Sequence, residues 1–575
     1  MFFVSVPRDC HKIQFRIQMM NRRPDTSTRV ALCVFIFCAS LPTVQPAVPP
    51  AADLLTYNEL VKLYEQNIPS EELRTKVRKL LTTPFVNNEY STSGADSIKP
   101  KSAAIGRYVR IAQWNIERGI EYDALESALT DPAKLVSLLD HAKYPPGSQK
   151  RSTVLEQAEL LRQADIIVLN EVDWGMKRTG YRNVVADLAS ALKMNYAFGA
   201  EFIEVDPIAL GTEEFAGLKE DDREALAQQI TVDPSRYKGL HGTAILSRFP
   251  LMNVRLVPFR TQGHDWYVTE KKGVTQIEKG KRLASEIAFQ EKIDREVRRG
   301  GRTMLLAEIE SPEIPTGRFT IVATHLESKT KPGNRVKQLG ELLETIKPIR
   351  GPVVVAGDMN TSTRDSTPTS IKREITKRFG SKKYWVEQGI RFLAGLSWPN
   401  SLLLAGVNEY RKQADPTVRS VHFIATNPEA KFFETLKKFR FSDGATFDFR
   451  GDRQRSIGSG NSPLANSNQR GGKGFITTFE VERTIGFVGK YKLDWIFVKP
   501  PALMSPYAEG QPYVMAPHFG RTLKELNDSF DERISDHDPL IVDLPLQEPA
   551  DETKLGKALR SMPIRQQARS SEFKL

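Results

Sequence analysis

Residues 352–360 read PVVVAGDMN, an apolar run that stops at Gly357 and delivers an acid and an amide. Val353, Val354 and Val355, with no polar residue between them, have the pattern of a strand covered on both faces. Asp358 and Asn360 follow at the strand's carboxyl end, two residues apart, so both can face one cleft, which is where open α/β sheets hold ligands. A carboxylate beside an amide can orient a water and hold a phosphoryl oxygen. An ordinary Asx turn closing a strand reads the same way, so the matter rests on what else the chain brings to that place.

Working outward, the same punctuation recurs. The strand-like Arg107–Trp114 breaks at Asn115, Asp165–Asn170 ends in Glu171, and Phe319–Thr324 delivers His325. Lys492–Lys499 carries Asp494 near its start, and Asp536 and His537 stand just ahead of a last strand within Ile534–Leu544. His241–Ser247 is a further strand. Helical spacing marks Asp53–Leu81, where Pro69 and Ser70 open a second helix, and also Asp123–Asp140, Thr153–Arg162, Asn334–Ile349 and Ala430–Phe439. Ala284–Arg299 reads as a solvated helix through pairs such as Asp294 with Arg298.

Composition bounds the class. The 575 residues are 40% hydrophobic and 26% charged, as in globular proteins, and 82 basic against 70 acidic residues give a net charge of +12. That balance suits a polyanionic or phosphate-bearing partner. Val30–Leu41 (VALCVFIFCASL) is an apolar run of twelve, short for a bilayer, with Arg22, Arg23 and Arg29 before it and Pro42 and Pro46 after it. It reads as a signal peptide, with an uncleaved N-terminal anchor as the alternative and Met19 or Met20 as the expected start. Removing residues 1–47 leaves the remainder at +8, so the basicity persists. All three cysteines, Cys10, Cys33 and Cys38, lie in this leader. The mature chain is then expected without disulfides or thiolate ligands, in a periplasmic or extracellular setting, and any metal must use oxygen and imidazole ligands.

In the motifs WNIERG (114–119), LNEV (169–172), GTAILSR (242–248), THLES (324–328), GDMN (357–360), LDWIFV (493–498) and SDHDP (535–539), the sequence resembles the endonuclease/exonuclease/phosphatase superfamily of metal-dependent phosphohydrolases. The resemblance covers most of Arg107–Leu544 in the family's order. It implies an α/β fold, a four-layered sandwich of two mixed β-sheets flanked by helices, with the site where the sheet ends converge. It further implies Glu171 as the principal ligand of a divalent cation, supported by Asn115 and Asp536. Mg²⁺ or Mn²⁺ is the expected ion, with Ca²⁺ a third option. His325 takes the place of the phosphate-binding histidine, Asp358 and Asn360 that of the pair orienting water, and His537 with Asp494 that of the His-Asp dyad.

Four domain-level segments are expected: a leader at 1–47, a helical preface at 53–100, a catalytic domain at 105–546 interrupted by an insertion at about 361–481, and a polar basic tail at 549–575. Gly451–Gly474, rich in Gly, Ser and Asn, reads as a loop in that insertion. The favoured activity is an exported phosphodiesterase or nuclease. A sphingomyelinase-like enzyme would need an apolar membrane-facing element, for which Phe392–Gly406 with Trp398 and Leu402 is the candidate. A small phosphomonoester phosphatase fits the same chemistry, and a non-catalytic binding module is the remote alternative. The sequence is silent on oligomeric state. Arg118, Arg248 and Arg335 are candidates to touch phosphate, with surface salt bridges explaining them equally well, whereas His241 and Trp114 read as packing residues.

Overall fold

The computed structural model describes residues 54–90, 101–102, 105–207, 209–211, 231–272, 296–361, 430–449, 478–485, 488–506, 511–516 and 518–548. The leader with its three cysteines, the Phe392–Gly406 stretch, the Gly451–Gly474 loop and the tail from 549 lie outside the described residues, as does most of 284–299. Among the described residues no helix is long and apolar enough to cross a membrane.

The PVVVAGDMN stretch forms β11 (Val353–Asp358), buried throughout. Its side chains alternate: Val354 and Ala356 turn toward a second sheet, while Val353 and Val355 turn toward helices on the other face. This explains the unbroken apolar run. β11 belongs to a five-stranded sheet of order β14 (Asp494–Lys499), β11, β10 (Arg318–Thr324), β9 (Thr303–Glu310) and β7 (Leu251–Pro258). β10 and β11 run parallel and their other neighbours antiparallel.

The facing sheet is nine-stranded. Its order is β1 (Phe85–Asn87), β5 (Asn195–Glu204), β6 (Leu240–Ser247), β4 (Ile166–Trp174), β3 (Gly106–Arg118), β16 (Leu540–Pro545) and β15 (His518–Thr522). β2 (Lys101–Ser102) adds to β3, and β8 (Arg298–Gly300) adds to β5. β3 and β4 are parallel, and β16 is antiparallel to β3. A separate hairpin pairs β12 (Phe479–Ile485) with β13 (Val488–Tyr491).

Three apolar clusters separate four layers. Val109, Ile111, Val168, Ile321, Val354 and Ile496 fill the space between the sheets. Trp114, Ile116 and Leu169 turn outward from the nine-stranded sheet onto α1 (Tyr57–Glu65), α2 (Glu71–Thr82), α3 (Tyr122–Thr130), α4 (Pro132–Leu138), α5 (Gln149–Arg162) and α6 (Val184–Leu192). Val353, Val355, Trp495 and Phe497 meet α7 (Pro332–Ile346) and α8 (Ala430–Lys438) on the far side. Helices, sheet, sheet, helices is the four-layered α/β sandwich the motifs imply.

Four expectations need correction. The helical preface also supplies β1, whose Phe85–Asn87 pairs with Tyr196–Phe198, so it is tied into the sheet. The helix read over Asp123–Asp140 is two helices, because Asp131 caps the amides of Ala133 and Lys134 and Pro132 restarts the turn. Arg298 and Arg299 lie on β8 rather than on a helix, drawn there by pairing with β5. The stretch read as one insertion returns to the core midway: Phe432, Phe433, Phe441, Phe447 and Phe449 pack beside Trp495 and Phe497.

Strand pairing positions the site. The carboxyl ends of β3, β4 and β11 meet, and the backbone there leaves the ordinary range. Glu117 (φ 46°), Arg118 (φ 69°), Glu171 (φ 52°) and Asn360 (φ 46°) are all left-handed, which re-aims their side chains relative to the strand's alternation. Gly357 (φ 150°) is required by space as well: a Cβ would sit 1.8 Å from the Thr324 carbonyl oxygen and 3.2 Å from Asn170 Oδ1.

Candidate active site

Asp358 is the centre of the arrangement. Its Oδ1 accepts from the Asn360 amide at 2.7 Å, an Asx turn that fixes the carboxylate against its own backbone. Its Oδ2 accepts from Asn115 Nδ2 and Asn360 Nδ2, each at 3.3 Å, and lies 3.4 Å from His325 Nε2 and 3.7 Å from His537 Nε2. Burial works against ionisation, but His537 and then His325 outweigh it and hold the carboxyl well below the usual range. Such a carboxylate is a weak base and a dependable acceptor.

His537 is set by its surroundings. Nδ1 donates to Asp494 Oδ2 at 2.7 Å, the backbone N–H is received by Ser535 Oγ at 3.1 Å, and the carbonyl accepts from Trp114 Nε1 at 2.8 Å. Phe479 covers the ring at 4.9 Å between centroids. Burial would lower this imidazole, but Asp494, Asp536 and Asp358 together raise it well above the ordinary histidine value. The Asp494–His537 pair has the geometry of the expected dyad, and Trp114, fully buried, is a core residue that also holds the dyad's backbone.

A second group of acids lies beside it. Glu117 Oε2 accepts from the Asp536 backbone N–H at 2.9 Å. Burial and then the Asp536 carboxylate push Glu117 up to about 8. Burial likewise takes Asp536 up to about 6, against the pull of His537 and with Glu171 adding its repulsion. Burial also acts to raise Glu171, but His325, His241 and Arg118 bring it down to about 2. Among the described residues no hydrogen bond or ion pair engages the Glu171 carboxylate. Asn115 brings its amide nitrogen to Asp358 and uses Oδ1 to accept the Glu117 amide at 3.1 Å.

This donor set fits a hard divalent cation: three carboxyl groups crowd one another, and Glu117 and Asp536 are both raised by burial and by a neighbouring acid. Asp358, Asp494 and His537 also offer ligand atoms within 4.8 Å of one another. Asp494 and His537 already bond to each other at 2.7 Å, so the Glu117, Glu171 and Asp536 group is the freer one. Sequence reading passed over Glu117 although it stands inside WNIERG, because strand alternation gives no hint of the left-handed turn that brings it round.

Behind the site runs a buried chain of hydrogen bonds that crosses both sheets. Gln113 Nε2 donates to Asp494 Oδ1 at 3.0 Å and to Asn170 Oδ1 at 3.3 Å, and Asn170 Oδ1 also receives the Asp358 amide at 2.8 Å. Asn170 Nδ2 continues to Thr243 Oγ1 at 3.2 Å, whose hydroxyl donates to Glu201 Oε1 at 2.9 Å. Glu201 Oε2 accepts from Arg302 Nη1 at 2.8 Å. A polar Gln113 and Asn170 inside apolar strands was the available signal for this network.

The remaining candidates separate. His241 is buried with Nδ1 2.9 Å from Asp173 Oδ1, and burial, then Arg298, hold it well below the ordinary value. Arg118 pairs with Glu296. Arg248 donates to the carbonyls of Ala164 and Arg162, at the end of β4 remote from Glu171. Arg335 is buried and donates to the Glu327 carbonyl. These bonds give Arg248 and Arg335 structural work.

A two-sheet sandwich with acids, amides and two imidazoles gathered at its strand ends defines a phosphoesterase-type fold. The chain belongs to the Endonuclease/Exonuclease/phosphatase family, whose model matches residues 112–537. That superfamily comprises phosphoesterases and nucleases. Solved structures similar to this chain include an endonuclease/exonuclease/phosphatase from Beutenbergia cavernae, at 17% identity over 77% of this chain and 72% of that one, TM-score 0.32. A humanized D. rerio TDP2 is 12% identical over 76% and 98%, TM-score 0.32. An AP endonuclease from Archaeoglobus fulgidus is 12% identical over 76% and 99%, TM-score 0.31. No curated protein matches the chain.

Proposed function

We propose that this chain is an exported, divalent-metal-dependent phosphodiesterase acting on nucleic acid. The observation that carries the reading is the group of mutually repelling acids at Glu117, Glu171 and Asp536, beside Asp358 and two imidazoles. Mg²⁺ or Mn²⁺ held by Glu171 with Glu117 and Asp536, and with Asn115 nearby, supplies neutralisation of charge on a non-bridging phosphoryl oxygen. Asp358 and Asn360 orient the attacking water, the carboxylate by accepting its proton in a hydrogen bond and the amide by fixing the carboxylate. His537, held as a donor at Nδ1 by Asp494 and raised in basicity, presents Nε2 to the cleft and exchanges a proton with the departing oxygen. His325 donates to a phosphoryl oxygen. The basic excess that remains once the leader's net +4 is taken from +12, namely +8, supports a polyanionic substrate.

Export follows from the basic, apolar and proline-bounded order of residues 22–46, with a mature start near residue 47. In this reading the domain limits are 105–546 for catalysis and 53–100 for a preface tied onto it.

The test is hydrolysis by the purified mature chain of single- and double-stranded DNA, RNA, sphingomyelin vesicles and inositol phosphates, with Mg²⁺, Mn²⁺ or EDTA. Turnover of nucleic acid that needs metal and is lost in Glu171→Ala is the expected result. Turnover of the lipid or monoesters alone, or equal activity in EDTA, overturns it. N-terminal sequencing of exported protein tests the leader, and a start upstream of Arg29 refutes cleavage.

A further inference from the structure

The two imidazoles of the site are gripped from behind by opposite kinds of group. Behind His537 stands a carboxylate, Asp494, an acceptor that obliges Nδ1 to carry a proton. Behind His325 stands Arg302, whose Nη1 lies 2.8 Å from Nδ1. A guanidinium has donors and no acceptor, so in this bond Nδ1 supplies the lone pair. An imidazole that accepts at Nδ1 carries its proton at Nε2. For His325 that nitrogen faces Asp358 Oδ2 at 3.4 Å.

Among the described residues, Asn360 Nδ2, 3.0 Å from the same Nε2, is the group that could ask the ring for a second lone pair. Its two protons are already received elsewhere, by the Leu326 carbonyl at 3.0 Å and by Asp358 Oδ2 at 3.3 Å. Arg302 has no such freedom to turn away. The same Nη1 donates to Glu201 Oε2 at 2.8 Å, the Arg302 amide donates to Gln262 Oε1 at 2.7 Å, and the guanidinium packs 5.1 Å over the Phe202 ring. Glu201 is held in turn by Thr243. The arginine is therefore fixed before any substrate arrives.

We propose that Arg302 is a positioning residue that locks His325 in the Nε2–H tautomer, so that this imidazole meets a phosphoryl oxygen as a donor and leaves proton exchange to His537. The inference rests on the phosphoester reading for its substrate, though the tautomer itself does not. It assigns the two histidines different work from the charge of the residue behind each one. It also explains why a buried arginine stands at the start of β9, where the sequence offered only a charge-rich stretch.

The test is nitrogen NMR of the full mature chain labelled with ¹⁵N-histidine, at pH 7, with His325 identified by the signal lost in His325→Asn. The expected spectrum has a protonated Nε2 and an unprotonated Nδ1 for His325, retained in Arg302→Lys, which keeps a donor and its charge, and replaced by a tautomer mixture in Arg302→Met. Hydrolysis of a nucleic-acid diester with Mg²⁺ is followed in parallel: kcat/KM falls by about 10²-fold in Arg302→Met and recovers most of that in Arg302→Lys. A proton on Nδ1 in the wild-type chain, or full turnover with an unchanged tautomer in Arg302→Met, overturns the proposal. Should Arg302→Met fail to fold, the wild-type and Arg302→Lys spectra still decide. A wild-type chain with the expected tautomer and no hydrolysis of any phosphoester sinks the hydrolase reading and leaves the Arg302 lock standing.

Discussion

The two ends of β3, β4 and β16 both hold acids, buried at one end and half-exposed at the other, and treat them in opposite ways. At the end remote from the site, Arg110 grips Asp543 with two bonds, of 2.7 and 3.0 Å, and gives its backbone N–H to Asp165 Oδ2 at 2.9 Å. Burial raises Asp543, and burial takes Asp165 up to about 7, but in each case the nearest strong influences after burial are cationic or donating groups that oppose it. At the site end burial raises Glu117, and its nearest strong influence is another acid. One end is neutralised by the chain itself, whereas at the other Glu117 faces a second acid, Asp536, and that pair is open to a cation from outside. Folding energy is spent to different purposes along the same three strands.

The largest effect that could break this contrast is at the neutralised end. Arg110→Met strands Asp543 without its partner and is expected to cost about 3–5 kcal/mol of stability, read by urea unfolding. The double variant Arg110→Met with Asp543→Leu should recover most of it. A loss under about 1 kcal/mol in the single variant would mean that the pair does not carry the neutralisation ascribed to it.

Glu117→Gln probes the other end with the opposite sign. Removing one of three crowded acids is expected to raise the melting temperature of the metal-free protein, while Mg²⁺-dependent turnover falls by about 10²-fold. A destabilised metal-free variant would show that Glu117 is held by attractive contacts rather than tolerated against repulsion.

A third measurement uses pH. Glu117 near 8 and Asp536 near 6 both lie above their unfolded values. A raised carboxyl contributes stability that is complete below its unfolded value and disappears as pH climbs through the folded one. The metal-free protein should therefore lose this contribution between about pH 4 and 8. A cation that binds the ionised acids restores it, so the rise in melting temperature on adding Mg²⁺ should grow from pH 5.5 to pH 8.5 by a few degrees. Thermal shifts that stay flat across that interval would refute the crowded-acid account.

Much of this was legible beforehand, and the reason is periodicity. A strand covered on both faces has to be apolar throughout, so Asn115, Glu171, His325, Asp358 and Asp494 stood out as interruptions of apolar runs. The four-layer order followed from the motifs that carry them. What could not be read was whatever depends on partners far along the chain. β1 and β8 are short and become strands through pairing with β5, and Arg302 reaches His325 and Glu201 from positions 23 and 101 residues away. Glu117 stayed hidden because a strand's alternation assigns its side chain to a face that the backbone, turning left-handed there, does not respect.

That left-handed backbone also bears on how the molecule can change over generations. Glu117, Arg118, Glu171 and Asn360 each occupy a conformation that glycine would accept freely and that costs an L-residue about 1 kcal/mol or more. Asn360→Gly is expected to relieve about 1 kcal/mol of backbone strain and to keep the backbone bond to Asp358 Oδ1, while losing the side-chain bonds to the Leu326 carbonyl and Asp358 Oδ2. Selection for heat tolerance alone would drift toward glycine at these positions, and an improved library bred only for folding would lose its hydrolytic variants first. A side chain kept at Glu117, Glu171 and Asn360 against that drift is therefore the mark expected of working members of such a lineage, as opposed to those that keep the sandwich as a scaffold.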